Sequence, residues 1–376
     1  MEFSNNRITA MFKQCCAVAL QYIGCVAMAR IIRRKILKKK FIGILAYHHI
    51  GSAPAGLIAP AATDPETFRR HVAMVSKKFR VMLMREAAEC IGNQVNPPED
   101  GVVFTFDDGY ADSFHCAAPI LEDAGIRGVF YITGRSFSND RLLWNDMLGI
   151  VAQHAAPGDF DDCRIEPKEM KQLLQAIAAS GKKEKADLAF KAFNRLLDED
   201  QALRDATCLL LETVLYNKKM PVDRNRVLMD EEQVVELARR GHEIGAHTMT
   251  HSRLSRAGCD AQREIVESIA LLRRRGIAVS SFAYPFGREC DLNASIIETL
   301  RRAGIYNAVT AENNCCVTPA NPLLLPRICI SPYHGAAFAA LRFELSAWRS
   351  IFKGVFSTRR SAAVHETTSA KSGSGP

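Results

Sequence analysis

Asp107 and Asp108 stand side by side in "GVVFTFDDGYADSF" (101–114), directly after Val102, Val103, Phe104 and Phe106. Two carboxylates at the end of a buried strand repel each other, and burial raises the penalty unless a cation or hydrogen-bond donors compensate. A second set lies in "GHEIGAHTMTH" (241–251), where His247 and His251 are four residues apart. On one helical turn that spacing puts both imidazoles on the same side, able to share one divalent ion. Such a pair recurs by chance. Here it follows an alternating strand and opens a loop rich in small residues, which is where barrel enzymes carry their active residues. If the aspartates end a neighbouring strand, two ring nitrogens and one carboxylate make a three-ligand site with an open position. That composition belongs to a catalytic zinc rather than a structural one. One aspartate can then bind the ion while the other acts on a water that the ion acidifies.

The elements that must position these residues alternate. Short apolar or β-branched runs recur at 41–47, 79–84, 102–106, 128–133, 242–247, 280–285 and 305–310, with helical patterns between them. "DEEQVVELARRG" starts with an Asp230 cap and Gln233 at the third position, and "DAQREIVESIALLRRRG" spans 260–276. Strands alternating with helices predict an α/β chain with parallel pairing, and seven or eight units predict a barrel rather than an open sheet. The polar, Lys-, Asp- and Glu-rich stretch from about 157 to 225 breaks the rhythm and reads as a helical insertion between two strands. Phe338, Leu341, Leu345, Trp348 and Phe352 at helical spacing predict an amphipathic helix over 336–357 that closes the domain, followed by a polar, disordered tail over 358–376.

At 376 residues and 48% apolar content the chain can bury a sizeable core. Its formal charge of +8 is local, since "RIIRRKILKKK" (30–40) holds seven basic residues and no acid. Setting those seven aside leaves +1, so no nucleic-acid surface is implied. The basic run reads as part of an N-terminal segment over 1–40, separate from the catalytic body. Gln14 to Ala29 is uncharged but shorter than a spanning helix, and its basic cluster follows the apolar stretch instead of preceding it, unlike a signal peptide. The pattern fits a helix lying on an anionic membrane face, or equally a helix packed on the domain. The expected location is cytoplasmic or peripheral on the inner membrane. Twelve cysteines without any C-x-x-C read as small core residues in a reducing compartment.

"TFDDGY" (105–110), "HTMTH" (247–251) and "FAYPFG" (282–287), in that order, resemble the polysaccharide deacetylase family, the NodB-homology domain. The likeness extends over about 42–331 and includes "LLLPRICI" (323–330), and "ILAYHHI" (44–50) resembles the opening strand of the exopolysaccharide branch. The resemblance implies a distorted (β/α) barrel within 41–335, acting on an N-acetylated glycan, either polymeric or lipid-linked. It implies Asp108, His247 and His251 as ligands of a divalent metal, with zinc first and cobalt or nickel also suited to such a set. Asp107 would be the base, and the Tyr110 N–H would hold the oxyanion, with Pro285 on the substrate side. Two departures stand out. Ala283 occupies the place of an arginine that many members aim at the base, and Arg327 in "LPRI" is the candidate replacement. A C-terminal Leu-x-His acid is missing after 320, and His334 lies in a different context, which makes His48 the candidate acid. His242 and His115 read as structural, and Trp144, Asn145 and Asp146 as a sugar subsite or an ordinary helix start. The alternatives are an amidase of the same fold acting on a non-sugar amide or ureide, or a decayed carbohydrate-binding scaffold.

Overall fold

The computed structural model describes residues 24–51 and 62–351, apart from 94, 96, 140, 162–167, 199–200, 223–226, 317–319, 331–334 and 336, together with positions 16, 19 and 20. The expectations for most of the first 23 residues, for His334, for Phe352 and for the 358–376 tail lie outside that set.

Strands β1 (Ile42–Tyr47) and β3 (Gly101–Phe106) are buried at all six positions. Their near-continuous apolar runs are what parallel strands covered on both faces require. β1 pairs on one side with β3 and on the other with β8 (Leu325–Cys329). From β8 the sheet continues through β7 (Asn307–Asn313), β6 (Ser281–Ala283), β5 (Glu243–Ala246) and β4 (Val129–Ile132) back to β3. The result is a closed ring of seven parallel strands with helices around it. Strand β2 is only Arg80–Val81 beside the start of β3, because Met84 already opens a helix, so the 79–84 run is mostly not strand. Pleat alternation sends Ile44, Val103, Tyr131, Ala283 and Leu325 into the barrel and Leu45, Phe104, Phe130, Ile244 and Phe282 toward the helices.

The insertion folds as helices Lys168–Ala179, Lys182–Asp198 and Gln201–Asn217, which bury a core of their own with helix Trp144–His154. After it, Asp230 and Gln233 form the expected capping box.

Three expectations about the periphery need correction. The basic run is not separate from the body: Arg33, in the helix that runs from Cys25 through Ile36, is fully buried. It pairs with both Asp100 oxygens at 2.8 Å and with Glu344 at 2.9 Å. Residues 337–351 are helical, but Ala339, Ala340, Phe343 and Ala347 are buried while Leu345 is exposed, because Glu344 must face Arg30 and Arg33. Of ten described free cysteines only Cys315 and Cys316 are buried, so most are not core residues. Arg33→Ala removes the one fully buried cation shared by Asp100 and Glu344, leaving them only the part-exposed Arg34 and Arg30, and should lower unfolding free energy by about 3–5 kcal/mol. Urea unfolding at unchanged slope reads this directly, and a loss below about 1 kcal/mol contradicts it.

Candidate active site

Asp107 and Asp108 follow β3 at the C-terminal end of the barrel, where parallel-barrel enzymes place their chemistry. Strict alternation would send adjacent side chains to opposite faces. Asp108 escapes this through a left-handed backbone, φ 73°, with Gly109 at 88°, so both carboxylates line one cleft of about 230 Å³. His247 and His251 line it too, but not from a helical turn: Thr248 and His251 have φ of 64° and 56°, and the segment is an irregular loop after β5. Of seven described non-glycine residues with positive φ, four (Asp108, Thr248, His251 and Phe286) frame this site, which is where stored backbone strain accumulates.

The donor set fits a divalent cation. Asp108, His247 and His251 each bring one ligand atom within 4.8 Å of the others, and all three residues are buried. Asp108 Oδ1 lies 3.2 Å from the Nε2 atoms of both histidines, yet it forms no hydrogen bond in its buried position. An orphaned carboxylate oxygen facing two ring nitrogens is what a shared cation would satisfy. His247 Nδ1 is 2.7 Å from the Ala283 carbonyl, to which it donates its N–H, leaving the Nε2 lone pair directed at the site. Burial pushes the Asp108 carboxyl up, but His251 and His247 hold it well below the usual range, so it stays ionised.

Asp107 has a different neighbour. Arg327 rises from β8 inside the barrel and donates Nη1 to Oδ1 at 2.6 Å and Nη2 to Oδ2 at 2.7 Å, with both side chains 3% exposed. Burial alone would raise the Asp107 carboxyl, but Arg327, His247 and His48 together hold it below the ordinary range. His48 Nε2 sits 4.0 Å from Asp107 Oδ2, and the side chain is 38% open to the cleft. Desolvation lowers the His48 pKa against the pull of Asp108 and Asp107, limited by that opening.

The remaining candidates separate. Tyr110 turns its side chain away from the cleft: its hydroxyl donates to Asp146 at 2.8 Å and its ring lies 3.7 Å from that of His49. Its N–H meets no backbone acceptor among the described residues. Pro285 does not line the cleft. The tight turn in which its carbonyl accepts the Gly287 N–H buries it, and Tyr284 and Phe286 take the lining positions. Of Trp144, Asn145 and Asp146, only Asn145 lines the cleft. His242 is structural, accepting from the Gly128 N–H and lying 2.8 Å from Glu122.

Three supporting residues carry no local sequence signal. Glu264 accepts from the Met249 and Thr250 N–H groups and from the Thr250 hydroxyl, anchoring the histidine loop from the next helix. Arg204 of the insertion donates to the Thr250 and Ser252 hydroxyls at 2.9 and 2.6 Å. Phe193, also from the insertion, lines the cleft and stacks on Trp144 at 5.3 Å. Only the tertiary fold brings them here.

The sequence profile of a family described as Polysaccharide deacetylase matches residues 195–308, which include both histidines but not Asp107 or Asp108. YxkH of Bacillus subtilis (strain 168), a polysaccharide deacetylase by name, is 28% identical over 121 residues. Over these segments the chain is similar to the polysaccharide deacetylase family. The aligned stretch is 32% of this chain and 42% of YxkH, so the chain spans less than half of the curated relative it matches. The barrel superposes on the Streptococcus pyogenes deacetylase PplD, solved with acetate, with a TM-score of 0.51 at 17% identity, covering 81% of this chain and 99% of that one. A de-N-acetylase from Aggregatibacter actinomycetemcomitans gives 0.50 at 14% identity, over 80% and 99% of the two chains. At such identities these likenesses establish the shared barrel and nothing finer.

Proposed function

We propose that the chain is a metal-dependent hydrolase that removes N-acetyl groups from the amino sugars of a glycan. The observation that carries this reading is the convergence of Asp108, His247 and His251 beside a second carboxylate, Asp107, that a separate cation holds ionised. The deacetylase profile that matches residues 195–308 and the name of the Bacillus relative point the same way.

Asp108, His247 and His251 would hold the ion, zinc first, with cobalt or nickel also compatible with two nitrogens and one oxygen. When bound, such an ion polarises the amide carbonyl and lowers the pKa of water to about 7. That acidification matches a base as weak as Asp107, which stays ionised and ready to accept the proton of the attacking water. Arg327 fixes both its oxygens, so the carboxylate cannot rotate away. The Tyr110 N–H, which meets no backbone acceptor among the described residues, is the candidate donor to the developing oxyanion. His48, its Nε2 4.0 Å from Asp107, is the candidate to protonate the nitrogen as the carbon–nitrogen bond breaks, releasing acetate and a free amine. Phe193, Tyr284 and Phe286 give the cleft apolar faces suited to a pyranose ring.

The test is acetate release from N-acetylglucosamine oligomers by zinc-loaded protein. Acetate should appear in step with new free amines, stop with a chelator and return with zinc. Amine-free hydrolysis of a ureide or imide, with no acetate from any N-acetylated glycan, would overturn the reading.

A further inference from the structure

The helix from Cys25 through Ile36 is amphipathic in the wrong sense for a water-facing element. Its inner face carries Val26, Arg30 and Arg33. Arg30 lies over the Phe79 ring and donates to Glu344 at 2.8 Å, while Arg33 is sealed between Asp100 and Glu344. Its outer face carries Met28 (61% exposed), Ile31 (54%), Ile32 and Ile36 (70%), with exposed Leu37 following. A soluble helix normally buries such residues and exposes its arginines. Exposed Lys35, Lys38 and Lys39 adjoin this apolar face. Among the described residues none of these three lysines has an ion pair.

The geometry points to docking of this face on an anionic lipid bilayer, with Met28, Ile31, Ile32 and Ile36 entering the interface and the lysines meeting acidic headgroups. Apolar burial and headgroup attraction are the two contributions that together hold an interfacial helix. No described helix is long and apolar enough to cross a membrane, in keeping with a surface mode. The buried Arg33 contacts explain how the helix stays in place: they fix it to the barrel, so the apolar face is presented by a rigid body instead of a loose tail.

Its place in the fold has a consequence. Arg33 holds Asp100 and stacks on Phe41, at the starts of β3 and β1, whereas the cleft lies past their ends. Six-residue strands separate the two by roughly 20 Å. A docked molecule therefore holds its cleft at that distance from the docking helix, within reach of a glycan chain that projects from the surface and not of a sugar in the headgroup plane. This consequence rests on the deacetylase reading, while the docking does not.

Co-sedimentation of the full chain with vesicles tests it. Vesicles of 30% phosphatidylglycerol in phosphatidylcholine should bind the protein at least about tenfold better than pure phosphatidylcholine. Met28→Asp/Ile36→Asp, and separately Lys35→Glu/Lys38→Glu/Lys39→Glu, should each weaken binding about tenfold or more at unchanged melting temperature. Absence of binding to the anionic vesicles would overturn the proposal. So would binding that both variants leave intact, which assigns it to another segment, or a dimer that Met28→Asp/Ile36→Asp dissociates, which assigns the face to a second copy. Acetate release from a soluble oligomer is read in parallel, so failure of docking and failure of the deacetylase reading are told apart.

Discussion

Asp107→Asn should lower acetate release by about 100- to 10,000-fold, the range for loss of a general base, while the protein keeps its metal. Asparagine preserves the shape of the side chain but cannot take a proton from water at neutral pH. It also presents an amide NH2 toward one arm of the Arg327 fork, leaving a buried donor facing a buried donor. Some loss of stability, about 1–3 kcal/mol, is therefore expected, and it must be measured beside the turnover. The ligand trio does not include this residue, so metal content should be unchanged. Turnover within about tenfold of the parent would remove Asp107 from the role of base. Loss of the metal would make it a ligand instead.

Arg327→Lys should cut turnover about 100-fold and shift the acid limb of the pH–rate profile upward. Lysine keeps the charge but replaces a two-pronged contact with a point contact on a flexible stem. The sign of the pH effect follows from the direction of the Asp107 shift. Arg327 helps hold that carboxyl below its ordinary value, so weakening the contact lets the value rise, and the base becomes protonated at a higher pH than in the parent. The same direction governs stability. A depressed carboxyl contributes stability that is present above its unfolded pKa, about 3.9, and is lost as pH falls through the folded value. Arg327→Ala is the harsher variant, because it leaves Asp107 buried and unpaired at a cost of about 3–5 kcal/mol. If Arg327→Lys lost turnover only in proportion to stability, with an unmoved acid limb, the arginine would be structural.

The strand periodicity and the DDGY and H-x-x-x-H segments made the barrel and its metal-ligand candidates legible, because side-chain alternation and ligand spacing are local properties. Arg327 was legible for a different reason: a resemblance with a gap at Ala283 prompts a search for the missing cation, and the register of β8 beside β1 delivers it into the barrel. What stayed hidden depends on backbone strain or on distant packing. Four apart suggested a helical turn for His247 and His251, but left-handed Thr248 and His251 produce the same convergence from a loop. The apolar and basic N-terminal pattern was visible, whereas nothing local says that Arg33 turns inward to meet Asp100 and Glu344, 67 and 311 residues away. Glu264, Arg204 and Phe193 reach the site only once the helices fold over it.

The most direct test of the central claim is the metal content of the purified chain by mass spectrometry, measured beside His247→Ala/His251→Ala. The account predicts about one divalent ion per chain after zinc is supplied, held by the parent and lost from the double variant, with both proteins folded. An absence of metal from the parent even after zinc loading, or equal metal in the two proteins, would contradict it and remove the proposed roles of Asp108, His247 and His251 together.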